Sequence, residues 1–181
     1  MLRRGHVAAC IACAEIVLSG CYTTLDPTRL PSSEEEGVLP TCSFTDSETS
    51  HYIVCPEPLS YAAAQEDCEK RGARLAAIAS QEENDFVGMT VFEAVNTNVW
   101  LGGTRTDDLV WSWPDGSVFW RGADDGSVEA DAFARWQPGE PNDSSTVTTD
   151  PERCLVLTVA DYDWNDRSCS LALPYVCEQA L

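Results

Sequence analysis

Apolar residues recur at two spacings along this chain, and each spacing predicts a different kind of element. After Ser60 they follow the period of a helix as far as Gly72, so Ser60 is the predicted N-cap of a helix of about three turns, and Gly72 lies beyond its C-cap. A second helix is predicted from Ser80 through Phe92, because Glu83, three residues after Ser80, completes a capping box.

Short apolar runs predict strands on either side of these helices. Residues 110–113 and 118–120 flank the turn dipeptide Asp115-Gly116, which predicts a hairpin. Residues 164–166 end in two polar side chains and are predicted to form a turn. The remaining strands are predicted at residues 51–54, 75–78, 99–102, 155–157 and 175–177. Strands therefore dominate the second half of the chain.

A long stretch without a clear period separates the hairpin from the next strand. Residues 121–153 are rich in Gly, Pro, Asp, Asn, Ser and Thr and contain few apolar residues besides Phe133 and Trp136. A loop of this length inside a compact domain is usually functional, so the binding residues are expected in or beside it.

The N-terminal residues 1–20 resemble a secretion signal. Two arginines precede an apolar run that is too short to span a bilayer comfortably and that contains Glu15. The run ends in Leu18-Ser19-Gly20-Cys21, which resembles the lipobox of bacterial lipoproteins, in which the preceding peptide is removed and the cysteine is acylated. An ordinary signal peptide with a nearby cysteine is the alternative.

The chain contains nine cysteines, a high and odd number that indicates disulfides and an oxidising compartment. Signal cleavage removes Cys10 and Cys13, and acylation uses Cys21, which leaves an even set. Residues 21–41 then form an acidic tether rich in Pro, Ser and Glu, and residues 42–181 form one domain. The expected product is a bacterial membrane lipoprotein that faces the periplasm or the cell surface.

The charge of the chain is strongly negative. Thirty acidic and 11 basic side chains give a formal net charge of −19. An acidic surface repels phosphate backbones, so nucleic acid is excluded as a partner.

Five oxygen-bearing side chains lie in or just after the long loop. They are Glu140, Asn142, Glu152, Asn165 and Asp166. Carboxylates and amide carbonyls in this number suit calcium, and the lack of nearby His or free Cys argues against zinc or copper. Any one of these residues alone is better explained by the acidic composition of the chain.

These residues belong to a longer pattern that resembles a C-type lectin domain over about residues 42–178. The pattern consists of Cys68, Gly72, Leu75, Trp100-Leu101-Gly102, Trp136, Gly139, Glu140-Pro141-Asn142, Glu152, Cys154, Trp164-Asn165-Asp166, Cys169 and Cys177. The resemblance implies an α+β fold in which two helices pack on small antiparallel sheets beside a long calcium-binding loop. It also implies three disulfides, which join Cys42 to Cys55, Cys68 to Cys177 and Cys154 to Cys169.

The same resemblance implies a ligand site. The bond between Glu140 and Pro141 is expected to be cis, and one calcium is expected on the five residues named above. Glu140, Asn142, Glu152 and Asn165 would also bond sugar hydroxyls, the carboxylates accepting and the amides donating. The Glu-Pro-Asn order resembles the mannose-type selector, which implies glycans with equatorial 3- and 4-hydroxyls such as mannose, N-acetylglucosamine, glucose or fucose.

Some positions depart from the family pattern. The interval from Glu140 to Glu152 is longer than usual, which leaves secondary sugar specificity open. Asp143 falls where some members place a ligand of a second calcium, but Arg153 stands where a neighbouring carboxylate is often found, so a full second site is not expected.

The function expected from these features is non-enzymatic. A glycosidase needs a protonated general acid, and calcium would keep the loop carboxylates ionised. The alternative to sugar binding is an adhesion or protein–protein interaction module in which calcium is only structural.

Overall fold

The computed structural model describes residues 41–144 and 150–181. The predicted signal segment, the acylation site Cys21, the tether up to residue 40 and residues 145–149 of the long loop lie outside these ranges. None of the helices in the described ranges has the length and apolar character that a membrane span requires.

Both predicted helices form, and each begins after its predicted capping serine. Helix α1 spans Tyr61–Lys70, and the Ser60 side chain accepts a hydrogen bond from the backbone N of Ala63. Helix α2 spans Gln81–Ala94, and Oγ of Ser80 accepts from the backbone N of Glu83 at 3.1 Å. Local hydrogen bonding to the first helical turn therefore sets both starts.

Ten strands form within the described residues. They are β1 (Ser43–Asp46), β2 (Ser50–Leu59), β3 (Arg74–Leu75), β4 (Val99–Arg105), β5 (Val110–Ser112), β6 (Val118–Arg121), β7 (Ser127–Val128), β8 (Glu152–Leu157), β9 (Trp164–Ser168) and β10 (Leu173–Ala180). The predicted hairpin is β5 and β6, which pair antiparallel. The predicted strand at residues 75–78 is shorter than expected and is limited to β3.

The expected α+β fold with two helices is confirmed, and its strands form one mixed sheet in place of several small antiparallel sheets. The order is β1-β2-β10-β4-β5-β6-β7, while β8 pairs with β4 and β9, and β3 pairs with β10. The closing strand β10 inserts between β2 and β4, and it runs parallel to β4 where Tyr175 lies opposite Trp100. Strand β10 therefore connects the N-terminal strands β1 and β2 to β4 and the strands that follow it.

The prediction of a turn at residues 164–166 is wrong. These residues lie in β9, which pairs antiparallel with β8. Trp164 is fully buried, and its Nε1 donates to Oδ1 of Asn84 in α2 at 2.8 Å. Pairing with β8 and this contact from a distant helix override the local turn preference of Asn165 and Asp166.

An aromatic cluster lies beneath the long loop and supports it. Trp111, Trp113, Phe119 and Trp164 are buried, and the ring of Trp136 packs 4.8 Å from that of Trp111 and 6.0 Å from that of Trp164. Edge-to-face contacts of this kind add to the burial of apolar area. The polar residues that follow Trp136 are therefore held close to β9.

Three disulfides staple the domain, and their pairing is the one that the resemblance implies. Cys68 in α1 is bonded to Cys177 in β10, Cys154 in β8 to Cys169 just after β9, and Cys42 to Cys55 in β2. The bond that involves Cys154 closes the β8 and β9 pair, on which Glu152, Asn165 and Asp166 lie.

Candidate functional site

The five predicted ligand residues are brought together around strands β8 and β9. Glu152 is the first residue of β8, and Asn165 and Asp166 lie in the middle of β9. Glu140 and Asn142 come from the segment 140–143, which the chain folds back against Asp166. Residues far apart in the sequence therefore share one site.

Asp166 fastens the segment 140–143 to β9. Its carboxylate is fully buried, and Oδ1 accepts from the backbone N of Asn142 at 3.2 Å while Oδ2 accepts from that of Asp143 at 2.9 Å. The peptide bond between Glu140 and Pro141 is cis, as the resemblance implies. The position of the Glu-Pro-Asn backbone thus depends on one carboxylate.

Oxygen atoms of three predicted ligand residues converge on one nitrogen of Arg167. Its Nη1 donates to Oδ1 of Asn165 at 3.1 Å and to the backbone O of Asp166 at 3.1 Å. The same nitrogen lies 3.6 Å from Oε1 of Glu152. Arg167 belongs to none of the motifs recognised in the sequence, and its place directly after Asn165 and Asp166 is the signal that points to it.

The carboxylates of the site repel one another. Burial, and then the hydrogen bond and negative charge of neighbouring Asp166, raise the pKa of Glu140 to about 7. Burial followed by the charge on Asp166 also raises the pKa of Glu152. The Oε2 atom of Glu140 is buried without a hydrogen-bond partner among the described residues. The cluster therefore favours a positive charge close to it.

The two amide residues are held differently. Asn165 is buried, and its Nδ2 donates to Oε1 of Gln137 at 3.1 Å, which leaves its Oδ1 for Arg167. Gln137 is itself fixed, because its backbone N donates to the O of Trp164 at 2.8 Å. Asn142 is exposed. Gln137 also lies outside the motifs recognised in the sequence, and only its position three residues before Glu140 points to it.

The donor set fits calcium chemically, although its atoms are engaged with protein partners. Across residues 41–144 and 150–181, no group of three His, Cys, Asp or Glu side chains is arranged to hold a metal ion as it stands. The Asp166 carboxylate accepts from backbone amides, and Asn165 and Glu152 face Arg167. Three carboxylates, one of which has an unpartnered buried oxygen, and two amide oxygens are nevertheless hard ligands of the kind that calcium prefers.

The sequence and the fold both match known proteins. Residues 57–179 match the family model described as Lectin C-type domain. The chain is 28% identical over 190 residues to C-type mannose receptor 2 of Rattus norvegicus, an alignment that covers 98% of this chain but only 12% of the receptor. It is 30% identical over 172 residues to a lectin of Pleurodeles waltl, which covers 90% of this chain and 87% of that protein.

A solved structure shows the same architecture. The cow C-type carbohydrate-recognition domain of CD23, crystallised in the presence of a GlcNAc2Man3 oligosaccharide, superimposes with a TM-score of 0.61 at 25% sequence identity. The match covers 78% of this chain and 98% of the cow domain. With more than half of its length matched to the family model and its fold shared with this domain, the chain belongs to the C-type lectin domain family.

Proposed function

We propose that this protein binds glycans through a calcium ion held by Glu140, Asn142, Glu152, Asn165 and Asp166. The observation that carries the proposal is the convergence of oxygens from Glu152, Asn165 and Asp166 on Nη1 of Arg167. These oxygens already surround one positively charged nitrogen. The same position therefore offers a divalent cation both oxygen ligands and a negative electrostatic potential.

Arg167 would have to leave this place when a metal ion enters. Its side chain is 36% exposed, so the guanidinium has a path to solvent. The departure would free Oδ1 of Asn165 and Oε1 of Glu152, while the bonds from Asp166 to the segment 140–143 need not change.

Sugar selection would follow from the order of donors and acceptors around the metal. Calcium accepts up to eight oxygens and so can hold two vicinal sugar hydroxyls besides the protein ligands. Glu140 and Glu152 would accept hydrogen bonds from those hydroxyls, and Asn142 and Asn165 would donate through their amide groups. This order supports ligands with equatorial 3- and 4-hydroxyls, such as mannose, N-acetylglucosamine, glucose or fucose. The oligosaccharide present with the related cow domain agrees with this class.

A second candidate function is adhesion or protein binding with calcium in a structural role. One observation favours it: the Asn165 amide already donates one of its two N–H groups to Gln137, which leaves only one for a sugar hydroxyl. The family match to a lectin domain supports a binding function rather than a catalytic one under either proposal.

We propose that the domain is exported across the cytoplasmic membrane of a bacterium and faces the periplasm or the cell surface. Three disulfides fit an oxidising, exported location. The Leu18-Ser19-Gly20-Cys21 sequence supports acylation of Cys21 after export, with the acidic tether holding the domain away from the lipid.

A glycan array run with calcium and again with a chelator tests the proposed function. Mannose-type glycans are expected to bind in calcium only, and Asn142→Asp is expected to abolish that binding because it replaces a donor with an acceptor. Asn96→Asp is a matched control, since Asn96 is an exposed residue between α2 and β4 and receives the same change of charge. Binding that is indifferent to chelator would overturn the proposal.

A further inference from the structure

A buried arginine on β4 connects Asp143, late in the long loop, to Glu152 at the start of β8. The side chain of Arg105 is only 7% exposed. Its Nη2 donates to Oδ2 of Asp143 at 2.7 Å and to the backbone O of Glu152 at 3.2 Å. A buried guanidinium is stable only when its charge is paired and hydrogen-bonded. These contacts therefore restrict the positions of both Asp143 and Glu152.

Asp143 completes a closed set of bonds with this arginine. Its Oδ1 accepts from the backbone N of Glu152 at 2.7 Å, which joins residues that are nine positions apart. Asp143 adopts a positive φ of 50°, a conformation that is uncommon for a side-chain-bearing residue and needs support from its surroundings. Its backbone N donates in turn to Asp166 at 2.9 Å. Arg105 is thereby connected through Asp143 to Glu152 and to Asp166.

The same contacts leave Asp143 without a free carboxylate oxygen for a second metal ion. Both of its carboxylate oxygens are occupied by protein donors. Arg153, the next residue after Glu152, pairs with Asp107 in the connection between β4 and β5. Two arginines therefore supply positive charge at the position where a second calcium would need acidic ligands.

We infer that Arg105 is a positioning residue that takes the structural role of a second cation. It fixes Asp143 and the start of β8, and thereby the spacing of Asn142 and Glu152, before any metal ion binds. The inference that the domain takes one calcium rather than two rests on the proposed function. The role of Arg105 in fixing Asp143 and Glu152 does not rest on it, because this role concerns the protein without metal.

Amide hydrogen exchange of the full chain in chelator tests the positioning role. In Arg105→Gln, the amides of Asn142, Asp143 and Glu152 are expected to exchange at least about tenfold faster. Exchange requires local opening of the segment around these residues, and the bonds from Arg105 no longer hold it closed. Arg105→Lys is expected to restore most of the protection, since it keeps the charge. Arg153→Gln is the matched control, because it removes an arginine beside the same loop whose ion pair is largely exposed.

A second variant covers the case in which Arg105→Gln does not fold. Asp143→Asn leaves the arginine in place but weakens its partner, and the Glu152 amide is expected to exchange faster there as well. Equal exchange rates in Arg105→Gln and Arg153→Gln would overturn the inference, as would unchanged exchange in Asp143→Asn.

Calcium counting by equilibrium dialysis separates this inference from the proposed function. One calcium per wild-type chain agrees with both, and two per chain would overturn the inference. If no calcium binds while exchange is faster in Arg105→Gln, the proposed function is wrong and the positioning role of Arg105 stands.

Discussion

Nη1 of Arg167 donates a hydrogen bond to Oδ1 of Asn165 at 3.1 Å, so a positive side chain occupies the oxygen that the proposed calcium would use. Neighbouring residues in the sequence thus supply both a candidate metal ligand and its competitor. If calcium binds as proposed, its affinity would therefore depend on a residue that is not itself a ligand.

The first prediction concerns that competitor. Arg167→Gln is expected to tighten calcium binding by about tenfold, since the metal ion no longer displaces a cation from Asn165 and Glu152. Isothermal titration with calcium measures the change. Arg121→Gln, which removes an exposed arginine paired with Glu129, is the control for net charge. Calcium affinity that is unchanged or weaker in Arg167→Gln would contradict the expected competition.

The second prediction concerns the unpartnered oxygen of Glu140. One oxygen of Glu140 is buried without a partner, and burial and then the neighbouring Asp166 raise the pKa of this carboxyl, so Glu140→Gln is expected to stabilise the chelated protein by about 1 kcal/mol. Calcium is expected to raise the melting temperature of the wild type more than that of the variant, because the variant keeps an oxygen ligand but loses its charge. Thermal unfolding with chelator and with calcium checks both effects. Glu57→Gln, at an exposed position of β2, should change neither.

The third prediction compares two disulfides. The bond between Cys68 and Cys177 has a sequence separation of 109, and that between Cys42 and Cys55 a separation of 13. In the chain-entropy account, replacing the first pair by alanines costs about 5 kcal/mol of unfolding free energy and replacing the second about 3 kcal/mol. Denaturant unfolding of the two double variants measures the difference. Equal losses would show that loop length does not govern the stability of this domain.

The fourth prediction concerns the N-terminus. If Cys21 is acylated, Cys21→Ala is expected to move the protein from the membrane fraction to the soluble fraction, because the acyl chains provide the membrane affinity. Cys13→Ala, which changes a cysteine inside the predicted signal, should leave the protein in the membrane fraction. Fractionation of expressing bacterial cells tests this. Retention of Cys21→Ala in the membrane would show that the lipobox interpretation is wrong.

Local interactions explain what the sequence predicted well. The helix starts depend on Ser60 and Ser80, whose side chains bond to backbone groups within three residues. The hairpin around Asp115 and Gly116 is fixed in the same local way. The order of the cysteines and of the Glu-Pro-Asn segment identified the family, and with it the disulfide pairing.

Long-range interactions explain what the sequence did not show. Residues 164–166 have the composition of a turn, but pairing with β8 and the bond to Asn84 place them in a strand. Arg105, Gln137 and Arg167 form no motif, because each acts through a side chain whose partners are brought to it by the fold.

The sequence by itself determined the family, the helix caps and the residues able to offer oxygen to a metal ion. Only the tertiary structure decided how those oxygens are engaged: by backbone amides at Asp166, and by Arg167 at Asn165 and Glu152. The physical reason is that composition fixes which donors and acceptors exist, whereas hydrogen bonds form only between groups that the folded chain brings within about 3 Å, and ion pairs within about 4 Å.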